Sequence, residues 1–163
     1  MSAKHRSDEH LREELHRARQ RAMAAFARAD TGFIAEAWER LGSGRAVSTV
    51  RGPEVGLVMV RGRAGGGGAP FNLGEASVTR ASVRIEDHAG AVIGHAMILG
   101  RDLKKARLAA SFDALWQVAD ERERIQAEVV AAIEATLAER DARHAEETAA
   151  TRVDFFTMVR GED

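Results

Sequence analysis

Charged residues surround a thin apolar stripe over residues 7–29, in which Leu11, Leu15, Ala18, Ala22, Phe26 and Ala29 recur at spacings of four and three. That period predicts an amphipathic helix, and Ser7 with Asp8 supplies a cap for its start. The stripe is narrow and rich in alanine, so it calls for a second helix or another chain to pack against. Asp30, Thr31 and Gly32 interrupt it. Phe33, Ile34, Ala37, Trp38 and Leu41 then predict a short second helix, which ends where residues 42–44 read Gly-Ser-Gly.

From residue 45 to 101 the texture changes to β-branched residues punctuated by glycine. Strands are predicted at about residues 46–51, 55–63, 75–86 and 91–100. The short connections favour antiparallel pairing, because parallel neighbours need long crossovers. Ala81, Val83 and Ile85 alternate with Arg80, Ser82 and Arg84, so one face of that strand belongs to a core and the other is wet or carries a ligand. After Asp102, a helix cap by its position, two stripes appear to about residue 119. Leu108, Phe112, Leu115, Trp116 and Ala119 form one, and Leu103, Ala106, Ala110 and Ala114 the other. So wide an apolar surface predicts a helix pressed on the sheet. A further helix over residues 121–147 carries Ile125, Val129, Ile133 and Leu137 at four-residue steps. Residues 151–160 read as a closing strand, with Phe155, Phe156 and Met158 free to join this chain's own sheet or a partner's edge.

The expected fold is therefore α+β, an antiparallel sheet of about four or five strands with N-terminal helices and a following helical pair packed on it. Residues 1–44 form an N-terminal helical arm, available for exchange between protomers, and residues 45–163 an α+β core with the closing strand. A length of 163 residues suits one domain with a proper core.

Charge narrows the function. With 24 basic and 25 acidic residues the chain carries a formal net charge of −1, which supplies no general field for nucleic acid. There is no cysteine, hence no disulfide and no thiolate for an iron-sulfur cluster. The charged N-terminus and the absence of a long apolar run argue against a signal peptide or membrane span and for a cytoplasmic protein.

Candidate chemistry concentrates at residues 56–80, GLVMVRGRAGGGGAPFNLGEASVTR. Gly65, Gly66, Gly67 and Gly68 allow the backbone positive φ or close approach to another group. No Gly-Lys-Ser/Thr follows and no helix begins there, so a nucleotide P-loop is rejected, as is the dinucleotide fingerprint. Two readings remain: a plain hairpin loop, or a nest of N–H groups that binds an anion beside Arg61 and Arg63. Arg61 and Arg63 share a face by period-two alternation, and Arg80, Arg84 and Arg101 also lie in or at the ends of strands. Each is either a grip for phosphate or phosphonate oxygens or a solvated or interface residue. Glu54 and Glu75 border strands without an assignable catalytic role. The six histidines show no metal-ligand spacing, and no GxSxG elbow marks a nucleophile.

Three blocks, PEVGLVMVRGRAGGGGAPFNLGEASVTRASVR at 53–84, GHAMILGRDLKKARLAASFDALWQ at 94–117 and TRVDFFTMVRGED at the C-terminus, together resemble the G subunit of the bacterial carbon-phosphorus lyase system. The resemblance implies phosphonate catabolism and assembly with H, I and J subunits in a dimeric core complex, with a functional link to the L subunit. It implies an early step in which phosphonate displaces adenine from ATP, giving ribose 1-phosphonate 5-triphosphate. ATP would be a substrate of the complex, with no cofactor or metal on this chain. The later radical cleavage belongs to the J subunit, and nucleosidase activity mainly to the I subunit. The alternative is a non-catalytic scaffold of the same complex.

Overall fold

A computed structural model describes residues 3–64, 67–87 and 90–150. The order is α1 (Ala3–Arg28), α2 (Thr31–Leu41), β1 (Val47–Arg63), β2 (Pro70–Asp87), β3 (Gly90–Leu99), α3 (Leu103–Gln117), α4 (Ala119–Ile125), a π-helical turn (Gln126–Val130) and α5 (Ala131–Ala150). The strands form one antiparallel sheet, β1-β2-β3.

The fold class is α+β as expected, but the described sheet has three strands rather than four or five. The reason lies at Gly52 and Pro53, which look like a break between two strands. Instead the chain stays paired to β2 on both sides: Thr49 lies opposite Val83, and Glu54 opposite Arg80, with register shifts between them. Gly52 makes this continuity possible, because it sits at φ +66 and a Cβ there would lie 2.6 Å from the carbonyl oxygen of Arg80. The closing strand expected at 151–160, with Phe155, Phe156 and Met158, lies outside the described residues.

Helix α3 is the centre of the molecule and explains its two stripes. Ala106, Ala110 and Ala114 face Ala81, Val83, Ile85 and Ile98 of the sheet. Phe112, Leu115 and Trp116 face the other way, into a cluster with Ala22, Ala25 and Phe26 of α1, Ile34, Ala37 and Leu41 of α2, and Val129 and Ile133 beyond. Phe112 stacks on Phe26 with ring centroids 5.4 Å apart, and Trp38 meets it edge-on at 5.2 Å. The narrow stripe of α1 thus finds its helical partner within the chain over residues 22–29. Its first half leaves Leu11 and Leu15 exposed. The helix begins at Ala3, so positions 7 and 8 lie inside it rather than at a cap.

Side chains close the sheet edges where helices cover it. Asp113 accepts the outward N–H of His95 at 2.8 Å, and Gln117 donates to the carbonyl of Ile93 at 2.9 Å. Arg107 reaches the carbonyl of Val47 on the opposite edge.

Asp102 caps α3 as expected, accepting the Lys105 N–H at 2.8 Å. It also accepts the Thr31 hydroxyl at 2.6 Å, which ties the start of α3 to the start of α2. These bonds, the Lys105 amide first, hold its carboxyl below the ordinary carboxylate range. A carboxylate depressed below its unfolded pKa of about 3.9 stabilises fully at neutral pH, and the contribution is lost as pH falls through the acid range. Wild type should therefore lose about 1 kcal/mol more than Asp102→Asn between pH 6 and pH 3, a cap's worth, in urea denaturation at the two pH values. Parallel losses in both proteins would remove Asp102 as the cause.

Candidate functional site

The sheet face away from α3 is largely exposed, with Met23 of α1 reaching it beside β3. On it, β2 presents Arg80, Ser82 and Arg84, and β3 presents Ile93, His95, Met97 and Leu99, by the period-two alternation that buries Ala81, Val83, Ile85 and Ile98 on the other side. Ladder register sets which of these meet: Ser82 is opposite His95, Arg80 opposite Met97, and Glu54 of β1 opposite Arg80.

Two arginines converge there on one carboxylate. Arg51 and Arg80 each donate through Nε to Oε1 of Glu54, at 2.8 and 2.7 Å. Those bonds, Arg51's first, lower the pKa of Glu54, which is anionic at neutral pH. Because each guanidinium is anchored through Nε, its two Nη groups keep their donors for another acceptor. Beside them, His95 Nδ1 lies 2.9 Å from the Ser82 hydroxyl. The position of His95 is fixed from behind, since its backbone N–H is bound by Asp113, itself gripped by Arg19 through two hydrogen bonds of 2.9 and 2.8 Å. Met23, Arg51, Arg80, Ser82, His95 and Met97 line a cleft of about 240 Å³. Two oriented cations, an imidazole and a hydroxyl around an open cleft can hold a phosphate or phosphonate group.

Of the sequence candidates, Arg80 lies in this cleft. Arg61 and Arg63 are elsewhere: Arg61 pairs opposite Asn72 near the end of the β1-β2 hairpin, seven positions along β1 from Glu54. At about 3.4 Å per residue that is roughly 24 Å away. Arg63 donates to the carbonyl of Gly68 at 3.1 Å, and the Gly68 N–H is bound to the carbonyl of Ala64, so this part of the loop is closed on itself. Gly67 lies in the same turn. Gly65 and Gly66 lie outside the described residues. Arg101 follows β3, exposed, just after Gly100 receives the Thr79 hydroxyl and donates to Ser77. Glu75 is exposed on the hairpin, and Arg84 is paired with Glu86.

Arg51, Ser82 and His95 were not singled out for this role by the sequence. Only the antiparallel register brings residues 51, 54, 80, 82 and 95 together, and a signal was present in the alternation that puts 80 and 82 opposite the core positions. Among the described residues no group of three or more His, Cys, Asp or Glu could hold a metal ion. No helix among them is long and apolar enough to cross a membrane.

A second cleft, about 430 Å³, lies between α1, α2 and α5, lined by Arg28, Phe33, Lys105, Ile133, Leu137 and Arg140. It is larger, but its cations come from the ends and outer surfaces of separate helices, and Arg28 is already paired with Asp141.

Comparison with known proteins points one way. Residues 17–161 match the family model for phosphonate metabolism protein PhnG. The alpha-D-ribose 1-methylphosphonate 5-triphosphate synthase subunit PhnG of Rhizobium meliloti (strain 1021) is 54% identical over 145 residues, covering 89% of this chain and 90% of that relative.

Proposed function

The chain belongs to the PhnG family of phosphonate metabolism proteins, and from that premise we propose that it works as a subunit of the synthase that makes a ribose 1-phosphonate 5-triphosphate, holding one of the reaction's anionic groups in the Arg51–Arg80 cleft. In this reading ATP and an alkylphosphonate are the substrates of a cytoplasmic complex with H, I and J subunits, linked functionally to the L subunit. A phosphonate oxygen forms a C–O bond at C1′ of the ribose. The N-glycosidic bond breaks with its electron pair leaving on adenine, and a proton ends on that base.

Such a displacement needs the triphosphate and the phosphonate held against their mutual repulsion while positive charge develops on the sugar. The observation that carries the proposal is the convergence of Arg51 and Arg80 on a single oxygen of Glu54. One carboxylate between two guanidinium groups leaves the cluster with a surplus positive charge and with both forks aimed by their Nε anchors. Among the described residues, no nucleophile or proton donor with complete geometry accompanies them. The cleft binds and orients, and reacting groups come from other subunits.

The test is Arg51→Ala with Arg80→Ala in the assembled complex. Subunit composition should stay normal while adenine release from ATP plus methylphosphonate falls by about tenfold or more, as expected for losing charge-assisted hydrogen bonds. A complex that turns over at the wild-type rate would refute the anion-binding role. Loss of assembly with each variant would instead favour the competing reading, a scaffold whose arginines make only subunit contacts.

A further inference from the structure

Strand β3 pairs with residues 78–87 of β2, but β1 pairs with β2 from Val47 opposite Ile85 to Arg63 opposite Pro70 at the turn. Residues 57–63 and 70–77 therefore project past β3 as a two-stranded ribbon, roughly 24 Å long at about 3.4 Å per residue. The ribbon is apolar and bare. Leu57 is 61% exposed and Leu73 60%, and Val58, Met59, Val60 and Phe71 are exposed with them. Four successive apolar residues, 57–60, place side chains on both faces of a strand. The sequence makes a strand fit for burial on two sides, and among the described residues it is buried on neither.

We propose that this ribbon inserts into an apolar groove of a different subunit of the synthase, edged with carboxylates that receive Arg61. The inference rests on the subunit reading above and names the segment that makes the contact. Three features select this occupant. First, exposure on both faces asks for a groove that encloses the ribbon, and packing two copies of it face to face would leave the outer faces bare. Second, the chain's own clefts described above hold about 430 and 240 Å³, the scale of a small-molecule pocket, so a second copy offers no such receptor in them. Third, the described residues at the tip, 61–64 and 67–72, contain two arginines and no acid. Arg61 makes no hydrogen bond or ion pair within the described chain, whereas Arg63 is spent on the loop carbonyl. A partner with carboxylates is complementary to that tip, and another tip of the same kind is not.

Seated there, the partner would lie beside the anion cleft. Leu99 and Met97 continue the exposed apolar surface from the base of the ribbon to the cleft wall, since Leu99 is opposite Val78 and Met97 opposite Arg80.

The experiment co-expresses the tagged chain with the remaining synthase subunits and measures recovered stoichiometry by native mass spectrometry. The double variant Leu57→Ser, Leu73→Ser should recover at least tenfold less partner while its circular dichroism and melting temperature match wild type, because both side chains are exposed. Equal recovery would overturn the inference and leave the subunit reading intact. Failure of the wild-type chain to recover any subunit would refute the subunit reading itself. Loss of self-association with full recovery of other subunits would replace the partner by a second copy, also overturning the inference. Independently of any variant, carbene footprinting of the wild-type complex should label Leu57 and Leu73 at least tenfold less than in the urea-unfolded chain, and protection of twofold or less would count against insertion.

Discussion

Gly94→Ala is expected to cost the protein at least about 3 kcal/mol and about 10 °C of melting temperature, the upper range of overpacking in a core. Gly94 lies on β3 directly beneath α3. A Cβ there would collide with the carbonyl oxygen of Ala110 and the amide nitrogen of Ala114, and would lie 2.8 Å from the Ala114 Cβ. Two of these obstacles are backbone atoms, which no change of rotamer can move aside. The helix would have to lift from the sheet, loosening Ala106, Ala110 and Ala114 from Ala81, Val83 and Ile98 together. Against a total stability of about 5–15 kcal/mol that loss is severe. Gly56→Ala is the matching control: a Cβ at Gly56 meets nothing within 4 Å, so its melting temperature should stay within about 2 °C of wild type. A melting temperature for Gly94→Ala as close to wild type as that would mean the helix does not sit on the strand backbone.

This contact also shows what the sequence could convey. The doubled stripe of residues 102–119 announced a helix with two buried faces, and its small face of Ala106, Ala110 and Ala114 is the one that meets the sheet. The alternation of Ala81, Val83 and Ile85 announced which face of β2 would be core. Local period is enough for such statements, because each depends only on neighbours three, four or two residues away. The joining of residues 46–51 and 55–63 into one strand was not legible, since Gly52 and Pro53 are ordinary turn residues and only the partner strand keeps the chain paired on both sides of them.

The candidate cleft was legible only in part for the same reason. Arg80 was one of five strand arginines singled out, and it occupies the open face of a strand with a recognisable core face. Arg51 and His95 did not, because their proximity to Arg80 follows from register across three strands and is absent from any single stretch of chain. Conversely, the apolar run Leu57, Val58, Met59, Val60 falls within the strand predicted at 55–63, yet among the described residues it projects past β3 with its side chains exposed. The polar face and the bare ribbon are two consequences of one fact: α3 and α1 cover only the part of the sheet where all three strands pair.

Arg19 links that covered part to the cleft, and its removal is the second large effect expected. The Asp113 side chain is 1% exposed, and its two oxygens are taken by Arg19 Nε and Nη2 and by the His95 N–H. Arg19→Met leaves the carboxylate buried against a single neutral donor. Breaking one side of a buried pair costs about 3–5 kcal/mol, largely as the penalty of the uncompensated charge. Asp113→Asn added to Arg19→Met should recover most of that loss, because an amide oxygen still accepts the His95 N–H while the charge is gone. Urea denaturation at pH 7 of the wild type, both single variants and the double variant would read the coupling directly. Additive losses would show that the two side chains act separately. A strong rescue would show that the ion pair exists to satisfy Asp113, and that Asp113 exists to hold the edge of β3, and with it His95, in register beneath the arginine cleft.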